Sequence, residues 1–399
     1  MSTRNAIYTI CAFLAFFNLQ AQDITKSKFG KGLFNIIAED SSYSAKMTVR
    51  MQSLLTSEWE SPEEGEWGDA ETNMLIRRAR LKFEGFAYSP KLEYKVELGL
   101  SNRDISGASA FNGNTPRIIL DALVRWNFYD NFELWVGQTK LPGNRERLIS
   151  SGSLETVDRS LVNSYFNIDR DMGAQLHHSF LVGENFLIRE AFSIAQGEGR
   201  NVTRGNEGGH QYTVRGEILP MGDFDDYSGA DLDREQTPKL AVGVSYDYNN
   251  NAVRADSNDG DYFFTEEGFF ETDISTLFVD LMFKYQGFSV MGEYAKRSAD
   301  EIFAVNQDGT LTGDVVNIGD GLNLQAGYLF KNNFQVVGRY TTIDMDDRVS
   351  QIIEDQYTLG LSKYIVGHKL KIQTDLSYTD LNQQLDDNLM YRLQLEIQF

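Results

Sequence analysis

The chain closes with YRLQLEIQF, residues 391–399, in which every second side chain is apolar. Successive side chains of a β-strand point to opposite faces, so one face of this segment is apolar and the other is polar. A strand of this kind that closes a chain on an aromatic residue is typical of bacterial outer-membrane barrels. The segment therefore predicts an all-β fold whose strands cross a membrane.

The other end of the chain matches an export signal. A single basic residue, Arg4, precedes an apolar run at 10–17, and small residues lead to Ala21. The run is too short to span a bilayer as a helix. The only cysteine, Cys11, lies within it, so the mature chain would have no thiol for a disulfide or a metal site. We expect residues 1–21 to be a cleaved signal peptide, 22–44 a short periplasmic segment, and 45–399 the barrel.

Alternating segments recur along the whole chain at roughly strand-and-turn spacing. Including the last one, we count about sixteen, which predicts a transmembrane antiparallel β-barrel of about 16 strands. They lie near 45–52, 78–84, 92–100, 120–126, 132–139, 171–180, 185–195, 211–219, 239–248, 275–285, 287–296, 321–330, 333–341, 356–364, 368–379 and 391–399.

The links between these segments alternate in length, which is a second and independent signal. Long polar links such as 54–73 and 140–170 follow every odd segment, and tight turns such as 129–131 and 285–287 follow most even ones. Outer-membrane barrels have short periplasmic turns and long external loops. The one exception is 220–238, a long link where a turn is expected; its role is left open between contact with a periplasmic partner and disorder.

Composition fits a barrel of this size. The mean hydropathy of -0.37 and the 41% of hydrophobic residues suit strands in which only every second residue faces lipid. The 26 Phe and 19 Tyr suit aromatic girdles at the membrane surfaces. A closed sheet pairs every backbone group in hydrocarbon, and about sixteen strands leave an aqueous interior. The expected function is passage of solutes.

Charge is distributed unevenly along the chain. The formal net charge is -21, and the first external link carries seven acidic residues without a Lys or Arg. Two interpretations stay open for these carboxylates. They form a solvated surface, or they bind lipopolysaccharide through divalent cations. The polar faces of the strands instead mix Arg and Lys with Asp and Glu. Two interpretations stay open: cross-strand pairing that cancels the charges, or a partly uncompensated basic track of the kind that selects anions.

The third long link, 140–170, is the best candidate for a constriction loop. It carries basic and acidic residues in similar numbers, together with several Ser and Thr that can satisfy buried backbone groups. We therefore predict that this third external loop folds inward, with an ordinary surface loop as the alternative.

These segments resemble the phosphate-selective porins O and P, in the type common among Bacteroidetes. The matching stretches are RRARLKFEG at 77–85, VGQTKLP at 136–142, RSL at 159–161 and RDMG at 170–173, and the resemblance spans roughly 45–399. It implies a sixteen-stranded homotrimer in the outer membrane that passes small anionic solutes, such as phosphate, by facilitated diffusion. A lysine-rich third loop, typical of phosphate filters, is absent here. A general or sugar-type diffusion porin therefore stays open as the alternative.

Several classes are set aside. The four histidines are scattered, the adjacent His177 and His178 cannot both face the lumen, and no His–Glu spacing suits zinc. We therefore expect no catalytic residues, no metal site, no cofactor and no nucleic-acid partner. The short segment before the first strand leaves no room for the plug of an energy-coupled receptor. The predicted pore-lining, anion-binding residues are Arg78, Arg80, Lys82, Arg125, Arg145, Arg147, Arg159 and Arg170.

Overall fold

The fold was analysed in a computed structural model that describes residues 28–61, 67–105, 109–204, 206–351, 353–381 and 387–399. The predicted signal peptide at 1–21 lies outside these residues, so its cleavage stays a prediction. Within the described N-terminal part, a short strand at Phe34–Ile37 pairs with the start of the first barrel strand.

The chain is built almost entirely from β-strands. They are β1 (Phe34–Ile37), β2 (Ser44–Ser61), β3 (Glu71–Ala87), β4 (Ser89–Gly99), β5 (Ile119–Tyr129), β6 (Phe132–Lys140), β7 (Arg170–Val182), β8 (Phe186–Ala195), β9 (Gln211–Leu219), β10 (Lys239–Ala252), β11 (Phe264–Thr265), β12 (Gly268–Phe269), β13 (Thr272–Tyr285), β14 (Phe288–Ala299), β15 (Phe303–Val305), β16 (Leu311–Val315), β17 (Gly319–Leu329), β18 (Phe334–Met345), β19 (Ile353–Val366), β20 (Leu370–Leu381) and β21 (Asp387–Gln398). Short helical turns occupy Asn102–Ile105, Ala110–Asn112, Arg145–Leu148 and Leu161–Phe166. Among the described residues, no helix has the length and apolar character needed to cross a membrane.

Sixteen of these strands form one closed antiparallel barrel. Each barrel strand pairs with the barrel strand that follows it in sequence. The hairpins β11–β12 and β15–β16 lie in the long links and form separate two-stranded sheets. The last strand closes the barrel on the first, with Arg50 opposite Gln398 and Ser61 opposite Asp387. The predicted sixteen-stranded barrel is confirmed.

The two faces of the wall differ as the alternation predicts. On β9, Thr213 and Arg215 are 0% and 3% exposed, whereas Val214 between them is 53% exposed. The same alternation of buried polar and exposed apolar side chains follows most of the other strands. An apolar exterior around a polar interior, which we call the lumen, is the arrangement of a membrane barrel.

Two local features depart from the predicted pattern. β2 and β3 run well past the predicted strand ends, so much of the acidic stretch 54–73 is strand rather than loop. A β-bulge lies opposite Gln52 and Ser53, which pair with Arg78 and Ile76 and leave Arg77 as the extra residue. A bulge re-aims a side chain, and here it places both Arg77 and Arg78 within reach of the same carboxylate.

The long link 220–238 is ordered and packed. It lies at the end of the barrel that carries the tight turns, and its Asp226, Ala230 and Asp231 are 1–2% exposed. Lys284 of β13 donates to the carbonyls of Asp225 and Ala230 at 2.7 and 3.1 Å. The prediction of disorder for this link is wrong, because its backbone and carboxylates are satisfied by the polar face of the barrel.

Candidate functional site: a basic cavity along the barrel wall

A cavity of about 780 Å³ runs along the polar face of one side of the barrel. Its walls are formed by strands β3 to β9, by the link after β6 and by other long links at the same end of the barrel. The lining extends from Arg103 and Arg117 in one long link to Asn131 in the turn at the opposite end of the barrel. The cavity therefore reaches from the end with long links to the end with short turns.

The lining is strongly basic although the chain is acidic. Fourteen of the lining residues are Arg or Lys and eight are Asp or Glu, in a chain whose formal net charge is -21. A cavity with low-dielectric walls and an excess of one charge concentrates ions of the opposite sign. The lining therefore carries an excess of positive charge.

Six of the eight predicted pore-lining residues lie in this lining. They are Arg78, Arg80, Arg125, Arg147, Arg159 and Arg170. Lys82 and Arg145 lie outside it, and both are engaged by carboxylates. Lys82 donates to Glu84 at 2.8 Å, one step closer to the turn end of the wall.

Arg145 is completely buried in a cluster of three carboxylates. Its Nε lies 2.6 Å from Asp280, and its Nη1 and Nη2 lie 2.7 Å from Asp226 and Glu217. These acids come from three different parts of the chain, and they hold the pKa of the guanidinium above its usual value despite burial. The predicted anion-binding role does not fit Arg145, since every direction of its planar group faces a protein partner.

Several lining arginines are neutralised by neighbours, as the pairing interpretation predicts. Arg80 binds Asp104 and Glu97 at 2.8 and 3.2 Å, and Arg170 binds Asp121 at 3.1 Å. Opposite charges on adjacent strands pair readily at these distances. Such pairs stiffen the wall and remove most of their own field from the cavity.

Other lining cations have no such partner. Arg125, Lys140, Arg159 and Arg200 have no carboxylate of a described residue within 4.0 Å. The guanidinium of Arg159 donates to the carbonyls of Glu146 and Ile149, and the ammonium of Lys140 donates to three carbonyls in the same link. A carbonyl satisfies a donor without cancelling its charge. These residues contribute to the excess positive charge of the lining.

Two of these uncompensated arginines lie in links outside the strands. Burial, together with neighbouring Arg147, lowers the pKa of Arg159 to about 9. Burial, together with nearby Arg170 and Arg117, lowers the pKa of Arg200 to about 10. Both groups are protonated at neutral pH, because these values still exceed 7 by two units or more.

Asp158 and Asp169 form ion pairs with arginines that line the cavity. Asp158 accepts from Arg77 at 2.7 Å and from Arg78 at 3.4 Å, and these cations hold its pKa well below the usual range against the effect of burial. Arg147 binds Asp169 and has the same effect on its pKa. Both carboxylates are thus ionised at any physiological pH.

The third link touches the polar face of most of the barrel. Arg50 of β2 donates to Ser151 at 2.9 Å, Lys371 of β20 to the carbonyl of Leu154 at 3.1 Å, and Gln325 of β17 to Glu155 at 2.6 Å. Further partners lie on β14, β18 and β19. The hydroxyl oxygens of Ser150 and Ser151 accept hydrogen bonds from Arg50, and that of Thr156 accepts one from Arg339.

The third link also meets the link from the opposite end. The amide of Gly229 donates to the carbonyl of Ser153 at 2.8 Å. Phe224 and Tyr227 pack on a small apolar cluster that includes Ile149 and Leu154. The two links are therefore in direct contact.

Sequence reasoning missed several lining residues. Arg77 and Trp135 line the cavity but are absent from the predicted pore-lining residues, and strict alternation does not reveal the bulge that re-aims Arg77. Arg200 lies in a long link whose position over the cavity has no local sequence signal. His177 belongs to the polar register of β7, and it lines the cavity without a Ser or Asp arranged for catalysis.

Comparison with known proteins gives a family and a fold. The model of the family "Phosphate-selective porin O and P" matches residues 62–399. An uncharacterized protein of Aquifex aeolicus (strain VF5) is 22% identical over 363 residues, covering 82% of this chain and 81% of the relative.

Two solved porins share the architecture. The high-pH structure of Pseudomonas putida OprB superposes with a TM-score of 0.54 and 11% identity, over 90% of this chain and 95% of that one. The anion-selective porin from Comamonas acidovorans gives a TM-score of 0.52 and 11% identity, over 90% and 100% of the two chains. At such identities the likeness shows a common fold.

Proposed function

We propose, because the chain belongs to the family of phosphate-selective porins O and P, that this diffusion channel of the outer membrane prefers small anions such as phosphate. The observation that carries the proposal is the charge of the cavity, with fourteen basic and eight acidic lining residues in an acidic chain. Family and fold point to a channel rather than an enzyme.

The preference rests on the uncompensated cations. Arg200 belongs to a long link, Arg159 and Lys140 to the middle of the path, and Arg125 to the wall near the short turns. An anion passing along this wall meets a free positive charge at successive levels. Arginine offers paired donors that match the oxygens of phosphate or a carboxylate.

We further propose that residues 141–169 are folded into the lumen as the constriction. Supporting this, Arg145 and Asn144 bind Asp280 and Glu293 on the polar faces of β13 and β14, and Val157 donates to Asp375 of β20. A segment with such partners occupies the side of the lumen opposite the basic wall. Solutes are then confined to that wall.

Two assembly proposals follow, the first from the family resemblance and the second from the acidic external residues. The channel is a homotrimer, and its external carboxylates bind lipopolysaccharide through divalent cations. Light scattering of the detergent-solubilised protein measures the protomer number, and a monomer would refute the first. Loss of lipopolysaccharide on chelation supports the second, whereas retention refutes it.

The selectivity is tested by the reversal potential of single channels in a potassium chloride gradient. We expect anion preference and partial block of chloride current by millimolar phosphate. The triple variant Arg125→Gln, Arg159→Gln and Arg200→Gln should lose most of the preference. Arg348→Gln is the control, because Arg348 is 61% exposed and pairs with Asp346 outside the cavity.

Cation preference of the unaltered protein would overturn the proposal. Absence of any preference, with free passage of neutral sugars of the same size, would favour the alternative of a general or sugar-type diffusion porin.

A further inference from the structure

One lining cation, Arg125 on β5, is free for an unexpected reason. The strand register places Glu93 of β4 directly opposite it, on the same polar face. Directly opposed side chains of opposite charge lie close enough to pair. On the neighbouring β6, Glu133 is a second carboxylate within diagonal reach. Yet Arg125 forms an ion pair with neither of these described residues.

The guanidinium of Arg125 is instead stacked on an indole. Its Cζ lies 4.1 Å from the ring centroid of Trp135, the residue opposite it on β6. The imidazole of His177, from β7, stacks on the same indole at 4.1 Å. Arg125, Trp135 and His177 therefore form a layered stack across three neighbouring strands. Stacking satisfies the face of the guanidinium and leaves its edge, which carries the N–H donors, free.

The same tryptophan also engages Glu133, the acid on its own strand. Its Nε1–H donates to Glu133 Oε2 at 2.8 Å. An acceptor used in this way is less available to Arg125. Trp135 thus acts on both neighbours of the cation: it holds the guanidinium away from Glu93 and occupies Glu133.

We propose that Trp135 is a selectivity-determining positioning residue that keeps Arg125 unpaired as a binding step for oxyanions. The inference rests on the proposed anion preference and adds to it the residue that maintains one of its charges. The ligand class is an anion with two adjacent oxygens, such as phosphate or a carboxylate, because a planar guanidinium edge donates to two oxygens at once. Chloride has a single acceptor centre and gains less from this geometry.

The decisive test is a double-mutant cycle on Trp135 and Glu93. In Trp135→Leu, Arg125 loses its stacking partner and can pair with Glu93. The permeability ratio of anion to cation should then fall about three-fold, since one unit charge a few ångströms from the path is cancelled. Adding Glu93→Gln should restore most of the loss. Glu93→Gln alone should have a smaller effect in the unaltered background.

Further variants separate the contributions. Trp135→Phe keeps an aromatic face without the N–H and should retain most of the preference, and Arg125→Gln should reproduce Trp135→Leu. Trp126→Leu is the matched control, because Trp126 is the neighbouring, 50% exposed tryptophan on the outer face of β5. Heat-modifiable mobility on gels shows whether each barrel has folded, and the Phe variant still tests the idea if the Leu variant does not.

Ion block identifies the ligand class. Phosphate and acetate should each inhibit chloride current more weakly in Trp135→Leu, whereas iodide, which lacks paired oxygens, should be unaffected. Equal effects of Glu93→Gln in both backgrounds, or unchanged block by phosphate and acetate, would overturn the inference. If the unaltered channel prefers cations, the proposed function itself has failed.

Discussion

Arg145 and Asp226 belong to links at opposite ends of the barrel, and their side chains meet at 2.7 Å. Arg145 belongs to the link after β6, on the side of the long links, and Asp226 to the link after β9, on the side of the short turns. The aromatic ring of Tyr227 lies 5.0 Å from the same guanidinium. The contact joins the two links, and we call this joined pair of links the partition.

Replacing Arg145 should destabilise the protein strongly. Arg145→Met leaves Glu217, Asp226 and Asp280 near one another, with Arg215 and Arg189 as the remaining cations paired with them among the described residues. Removing one member of a buried ionic cluster costs about 3–5 kcal/mol. Urea unfolding in detergent measures the loss. Arg348→Met, which disrupts an exposed pair, should cost less than about 1 kcal/mol. Equal stability of the two variants would contradict the role of the partition.

Shortening the link 220–238 should widen the path. A variant with Gly-Ser-Gly in place of 222–236 lacks the contacts of Asp226, Tyr227 and Gly229 with the barrel interior. We expect a higher single-channel conductance and more current noise, since the third link loses its support. The control shortens the external hairpin turn at 306–310, which does not line the cavity. Unchanged conductance in the first variant would show that this link does not restrict passage.

Asp158 should make a pH-dependent contribution to stability. Arg78 and Arg77 hold its pKa far below that of an unfolded aspartate, which is about 3.9. A lowered pKa in the folded state stabilises the protein above the unfolded pKa, and the contribution is lost as the pH falls below it. Asp158→Asn should therefore be less stable by about 1–3 kcal/mol at pH 7, with a smaller difference at pH 2.5.

The measurement is thermal unfolding of both proteins at pH 7, 4 and 2.5. The control is Asp347→Asn, which removes an exposed external carboxylate. A difference between Asp158→Asn and the unaltered protein that stays constant down to pH 2.5 would show that the ion pairs with Arg77 and Arg78 do not stabilise the fold.

Phe111 should hold two distant external links together. Its ring stacks on Tyr262 at 4.2 Å and lies 5.7 Å from Phe269, although the strands that carry these links are not neighbours in the barrel. An aromatic pair adds about 0.5–1.5 kcal/mol beyond burial. Phe111→Ala should therefore accelerate protease cleavage within 101–118 and 253–271 while the barrel stays intact. Phe303→Ala, in the separate β15–β16 hairpin, should leave the cleavage rate unchanged.

The cavity could be predicted only in part. Arg78, Arg80 and Arg125 follow from the polar register of their strands, which is a local property of the sequence. Arg77 does not, because the bulge that re-aims it depends on pairing with β2.

The sequence by itself determined the barrel. A side-chain period of two, repeated sixteen times between tight turns and long links, leaves a closed sheet with an apolar exterior as the arrangement that pairs every backbone group in a membrane. Only the tertiary structure decided which charges remain free. Arg145 and Arg125 look alike in sequence, yet one is enclosed by carboxylates 72 to 135 positions away and the other is held on an indole. Electrostatic compensation depends on distances of a few ångströms between residues that are remote along the chain, and these distances exist only once the barrel has closed.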